Sequence, residues 1–161
     1  MPATGASALP SPLVASLLRP EAYPHPVERV ELLETHISWV FLTGTLAYKL
    51  KKPVDFGFLD FSTAARREHF CHEELRLNRR LSAGLYLDVV PLHGPPEQAS
   101  FCGDGPVIDH AVRMCQFPQR ALLPAVLRRG ELGDGLVDRF ADDLARFQAE
   151  AAVAPAGGPH G

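Results

Sequence analysis

Two charges stand where apolar segments should continue, and they limit how this chain can fold. Lys49 closes the β-type run Leu46-Ala47-Tyr48-Lys49. Glu74 lies on a segment written Thr63 to Ser82, where Phe70, Leu77 and Leu81 recur at helical spacing; at 100° per residue it falls among them rather than on the opposite face. A buried carboxylate without a cation is costly, so Glu74 needs a partner. Lys49, one turn signal and one loop upstream, is the obvious one, which requires the strand and the helix to pack together. Glu73 borders the same stripe and is the alternative register. The plain reading of either pairing is a surface ion pair of small energetic worth.

The remaining pattern supplies the surroundings of that pair. Residues 1–26 are rich in Pro, Ala and Ser and read as a flexible leader with one short helical turn around Leu13 to Leu18. Val30, Leu32 and Leu33 form a first strand or helix, too short for periodicity to choose between them. Ile37 to Leu42 and Leu46 to Val54 are β-type runs joined by Thr43-Gly44-Thr45, a hairpin signal. An aromatic loop, Asp55 to Phe61, leads to the long helix, capped by Ser62 or Thr63 and stopped at Gly84. Leu85 to Leu92 and Val107 to Phe117 read as further strands, and Ala121 to Arg129 and Leu136 to Ala152 as helices. Leu136, Phe140, Leu144 and Phe147 share one face of the last helix. The expected fold class is α+β: an antiparallel sheet with one long packed helix over 27–117, helices over 118–152, and a disordered tail over 153–161.

Composition excludes several classes. The formal net charge of the 161 residues is −3, with the arginines spread, which argues against nucleic acid or an anionic membrane as partner. Cys71, Cys102 and Cys115 lie far apart, as reduced thiols of a cytoplasmic protein do. His69, Cys71 and His72 are close in sequence, but residues 71 and 72 diverge on a helix, so no metal site is expected. Asp55 and Asp60 suit turn formation, and no nucleophile stands in a motif with its base.

The runs Glu34-Thr35-His36-Ile37-Ser38-Trp39-Val40-Phe41-Leu42-Thr43-Gly44, Ala47-Tyr48-Lys49-Leu50-Lys51-Lys52-Pro53, Gly57-Phe58-Leu59-Asp60-Phe61 and Glu73-Glu74-Leu75-Arg76-Leu77-Asn78-Arg79-Arg80-Leu81 resemble one bacterial family. These are the aminoglycoside-phosphotransferase-like proteins often fused to a second, P-loop kinase domain. Leu46-Ala47-Tyr48-Lys49 also matches the Val-Ala-Ile-Lys of kinases position for position. The resemblance runs from about Tyr23 to about Ala152. It implies a protein-kinase-like amino-terminal lobe followed by the first helices of a truncated carboxy-terminal lobe, and ATP-dependent phosphotransfer to a small molecule.

On that resemblance Lys49 contacts the α and β phosphates of ATP and Glu74 fixes its position, with Ala47 leaving room for the adenine. Thr35, His36 and Ser38 occupy the phosphate-covering turn, where the usual glycines are missing; their alternative use is to satisfy a turn. Met114 and Gln116 lie where backbone groups meet the adenine edge. The family's catalytic loop, His-Gly-Asp-x-His-x-x-Asn, does not occur: Gly103-Asp104 and Gly133-Asp134 are each followed by glycine. The catalytic base and the ligands for Mg are therefore expected from a separate carboxy-terminal lobe, and no catalytic residue is assigned in this chain. A non-catalytic kinase-like module that binds nucleotide or a partner is the competing expectation.

Overall fold

The computed structural model describes residues 11–158. The remainder of the predicted leader and tail lies outside the described residues. The chain divides into two compact units, one ending at Phe117 and the other beginning at Pro118.

The first unit is α+β and carries a five-stranded antiparallel sheet. Its strands are β1 (Glu31–Glu34), β2 (Ser38–Leu42), β3 (Leu46–Lys51), β4 (Tyr86–His93) and β5 (Val107–Cys115), in the order β1-β2-β3-β5-β4. The first run is thus a strand, paired with β2 from Glu31–Leu42 to Glu34–Trp39. Thr43 closes the next hairpin: its N–H (2.9 Å) and hydroxyl (2.7 Å) both donate to the Leu46 carbonyl, and Gly44 takes the left-handed φ of 101° that the turn demands. Strand β3 stops at Lys51, short of the expected Val54, because Pro53 has no N–H to continue the ladder. Strand β5 likewise ends two residues early, at Cys115.

Alternation gives the sheet two unlike faces. Paired residues point the same way, so Phe41, Tyr48 and Arg113 share one face with Leu50 and Ala111, while Val40, Lys49 and Val112 share the other with Ala47 and Lys51. The first face is the hydrophobic core. Phe41, Tyr48, Leu50, Leu92 and Ala111 pack there against Val14, Leu17, Ala22 and Tyr23. The described part of the predicted leader therefore folds. Helix α1 (Pro12–Leu17) starts with Pro at its first turn and with the Ser11 hydroxyl accepting from the Val14 N–H (3.4 Å), and a 3-10 turn follows at Pro20–Ala22. The Tyr23 hydroxyl then donates to the Leu17 carbonyl at 2.6 Å. Composition points to flexibility, but the few apolar residues of this segment cover the sheet face opposite the one that faces Glu74.

Helix α2 (Ala64–Ser82) serves the second face. Thr63 caps it, its hydroxyl accepting from the Arg66 N–H at 3.3 Å. The expected apolar stripe is not the packed one: Leu77 and Leu81 are exposed, and Phe70 packs edge-on against Phe61. Arg67, Cys71 and Glu74, spaced by four and three, are drawn in instead, because the sheet presents ionic partners to them.

The second unit contains a 3-10 turn at Gln119–Ala121, α3 (Leu123–Arg128) and α4 (Asp134–Ala149). Gly130, at φ 67°, ends α3 in the left-handed conformation common after helices. On α4, Leu136, Phe140 and Leu144 are exposed.

If the amino-terminal segment belongs to the core, Leu17→Ala should cost about 2–5 kcal/mol. Urea denaturation monitored by circular dichroism measures this directly; a midpoint equal to that of the wild type would mean the segment is detached in solution.

Candidate functional site

Glu74 is forked between two lysines of the same strand. Its Oε1 accepts from Lys49 Nζ at 2.7 Å and its Oε2 from Lys51 Nζ at 2.6 Å. Two residues apart on β3, the lysines point to one face, and α2 lays the carboxylate across both. Their surroundings differ. The Lys51 side chain is 5% exposed, with its ammonium 4.9 Å from the centre of the Phe61 ring, whereas that of Lys49 is 27% exposed. Burial raises the pKa of Glu74, but the attraction of Lys49 and Lys51 together outweighs it and holds the carboxyl below its usual range.

A second ionic contact pins the same helix two turns earlier. Arg67 donates through Nε to Asp109 Oδ2 (2.9 Å) and through Nη1 to the Phe61 carbonyl (2.9 Å). Asp109 Oδ1 accepts from the His110 N–H at 2.9 Å. Burial dominates at Asp109 and raises its pKa even so. Cys71 lies between the two contacts with no exposed surface; its Sγ is 3.6 Å from the His110 carbonyl, and burial pushes the thiol up to about 12. Three cations, Lys49, Lys51 and Arg67, thus meet two carboxylates, Glu74 and Asp109, leaving one positive charge in surplus. Lys49, as the most exposed of the three, presents that surplus to solvent. Such a cluster is suited to holding an anion.

The other sequence-derived residues divide into those near the lysine strand and those with local partners. Ala47 is buried on the Lys49 face, opposite Met114 on β5 and Leu42 on β2. The Thr35 hydroxyl is occupied in its turn, accepting from the N–H of Ser38 (2.9 Å) and of Ile37 (3.3 Å). Ser38 is fully buried opposite Lys51, and its Oγ has no hydrogen-bond partner among the described residues. His36 is exposed and, with Thr35, Ile37, Phe56 and Phe58, lines an open hollow of about 630 Å³. Met114 pairs on both sides, with Ala47 and Tyr86. Gln116 ties down the β2–β3 turn: its N–H donates to the Thr45 carbonyl (2.9 Å) and its Oε1 accepts from the Gly44 N–H (2.8 Å). Asp55 and Asp60 form turns, accepting from the N–H of Gly57 (2.8 Å) and Ser62 (2.9 Å). Lys51 was not singled out from the sequence; the signal was its spacing of two from Lys49, which places it on the same strand face.

The chain is 35% identical over 130 residues to uncharacterized proteins of Mycobacterium tuberculosis and Mycobacterium bovis. The alignment covers 79% of this chain and 24% of each relative, so the chain spans about a quarter of the length of the curated relatives it matches. No family model matches it, and no solved structure does.

Glu74→Gln leaves two lysines without a counter-charge and should cost about 3 kcal/mol, the low end for a broken buried pair because Lys49 is partly exposed. Because the folded-state pKa of Glu74 is depressed, the stability it contributes is complete above the ordinary glutamate range and is lost as pH falls through the depressed value. An acid-denaturation series should show this loss in the wild type and its absence in Glu74→Gln. Cys71, buried and held as the thiol, should resist iodoacetamide at about pH 8 while the partly exposed Cys102 and Cys115 are alkylated. Mass mapping of the labelled native protein reads this out, and early labelling of Cys71 would mean that α2 opens readily.

Proposed function

We propose that this chain forms the nucleotide-binding, kinase-like amino-terminal part of an ATP-dependent small-molecule phosphotransferase of the aminoglycoside-phosphotransferase-like kind. One observation carries the reading: a lysine on the third strand of an antiparallel sheet lies 2.7 Å from a glutamate on the helix that follows that strand. Kinase-like folds use this pairing to hold an ammonium against ATP phosphates. Lys49 is the residue that meets the α and β phosphates. Glu74 keeps its long stem from swinging into solvent. Ala47 lies on the same face, two residues back, and its small side chain suits the position that meets the adenine in that reading.

In this reading ATP would supply the phosphoryl group and Mg would offset the charge of its phosphates. The ligands for Mg, the aspartate that orients the acceptor hydroxyl and the acceptor contacts come from protein beyond this chain. The curated relatives are long enough to include such a part, since this chain aligns with only 24% of them. The chain itself contributes phosphate positioning, which is one component of the transition-state stabilisation and not all of it.

The test is calorimetric titration of the purified chain with MgATP. Binding that Lys49→Ala abolishes is the expected result, together with no ATP turnover above background. Equal affinity in Lys49→Ala would remove the phosphate site from β3; steady turnover that Lys49→Ala stops would mean that the chain carries its own catalytic carboxylates.

A further inference from the structure

We propose that Lys51 is a positioning residue of the phosphate site: it neutralises Glu74 from the buried side and so leaves the charge of Lys49 to the incoming anion. The inference rests on the nucleotide reading above and goes beyond it by assigning a second lysine with a different task.

Glu74 carries one charge on two oxygens, and each oxygen is taken by a different ammonium, at 2.7 and 2.6 Å. The two cations are not equivalent. Lys51 is enclosed between Glu74 and the Phe61 ring, opposite the buried Ser38, and only 5% of its side chain meets solvent. Lys49 is 27% exposed, so an anion arriving from solvent recruits Lys49 and leaves Lys51 in place.

Charge then sets the consequence. A lone lysine paired with a lone glutamate is neutral, and at the distance of a phosphate the two fields largely cancel. Adding Lys51 turns the cluster net positive and places the surplus at its exposed end. Neighbouring carboxylates do not cancel it. Asp109 is engaged by Arg67 at 2.9 Å, Glu73 by Arg76 at 2.7 Å and Asp88 by Arg113 at 2.6 Å. When Lys49 turns toward a phosphate, Lys51 also spares Glu74 from becoming a buried charge without a partner, a state that would oppose binding.

The experiment uses the full chain as wild type, Lys51→Met, Lys51→Arg and Lys49→Met, titrated with MgATP, inorganic tripolyphosphate and AMP. Lys51→Met should weaken MgATP and tripolyphosphate about tenfold, as expected for losing a unit charge roughly 6 Å away at an effective dielectric constant of roughly 40. AMP, with less charge, should change by less than about threefold, and Lys51→Arg, which keeps the charge, should stay within about threefold of wild type for all three. A merely structural role for Lys51 predicts losses that ignore ligand charge, and tripolyphosphate binding as tight in Lys51→Met as in wild type would overturn the inference. If the wild type binds none of these ligands, the nucleotide reading fails, and thermal denaturation decides the role of Lys51 by itself. Lys49→Met should then lower Tm by on the order of 6–12 °C more in the Lys51→Met background than in wild type, because only there is Glu74 stranded. Equal shifts in the two backgrounds would show that Lys51 does not hold Glu74.

Discussion

The shared carboxylate of Glu74 joins α2 to the sheet, and the surrounding arrangement follows from the need to keep that charge compensated. Lys49 and Lys51 point to one side of β3 because they are two residues apart. A helix laid over them must offer an anion, and the helix position that does so also brings Arg67 to Asp109 and buries Cys71. This face of the sheet is therefore held by directed contacts between charges, which specify one register of helix on strand more narrowly than apolar packing does. Contacts of that kind depend on complete pairing.

The opposite face obeys a different rule. Phe41, Tyr48, Leu50, Leu92 and Ala111 make a conventional apolar core, and the segment from Val14 to Tyr23 closes it. The non-directional hydrophobic effect needs only enough apolar surface in reach. A short helix and one 3-10 turn provide it, tied back by the Tyr23 hydroxyl on the Leu17 carbonyl. One sheet thus combines a largely apolar face with a face that carries the Lys49–Glu74–Lys51 fork. The central position of β3 gives the strand that carries Lys49 a hydrogen-bonded neighbour on each side, β2 and β5.

Much of this was legible residue by residue. The β2–β3 hairpin could be read from Thr43-Gly44-Thr45, the long helix from Thr63 and its periodicity, and the Lys49–Glu74 contact from two charges in apolar settings. Three features were harder to read. The stripe Phe70, Leu77, Leu81 lies to one side of the packed face of α2, because hydrophobic periodicity does not register a helix that packs through Arg67 and Glu74. The segment around Leu17 looked like a leader, because Pro, Ala and Ser carry no sign that a bare sheet face awaits them. Lys51 is adjacent to Lys52 and carries no motif of its own, although its alternation with Lys49 marks it as a neighbour on the same face.

Local pattern is enough to specify the elements and the requirement for a counter-charge, since both depend on local period, turn chemistry and the cost of burying an ion. The tertiary structure decided which groups meet that requirement. Glu74 rather than Glu73 faces the strand, it takes two lysines rather than one, and the more deeply placed of the two is Lys51. Those choices depend on the rotation of α2 about its axis and on its height over β3. They are set by long-range contacts, Arg67 with Asp109 above all, between residues 42 positions apart in the chain. No local pattern encodes such a contact, because its energy exists only once the strand and the helix have been brought together.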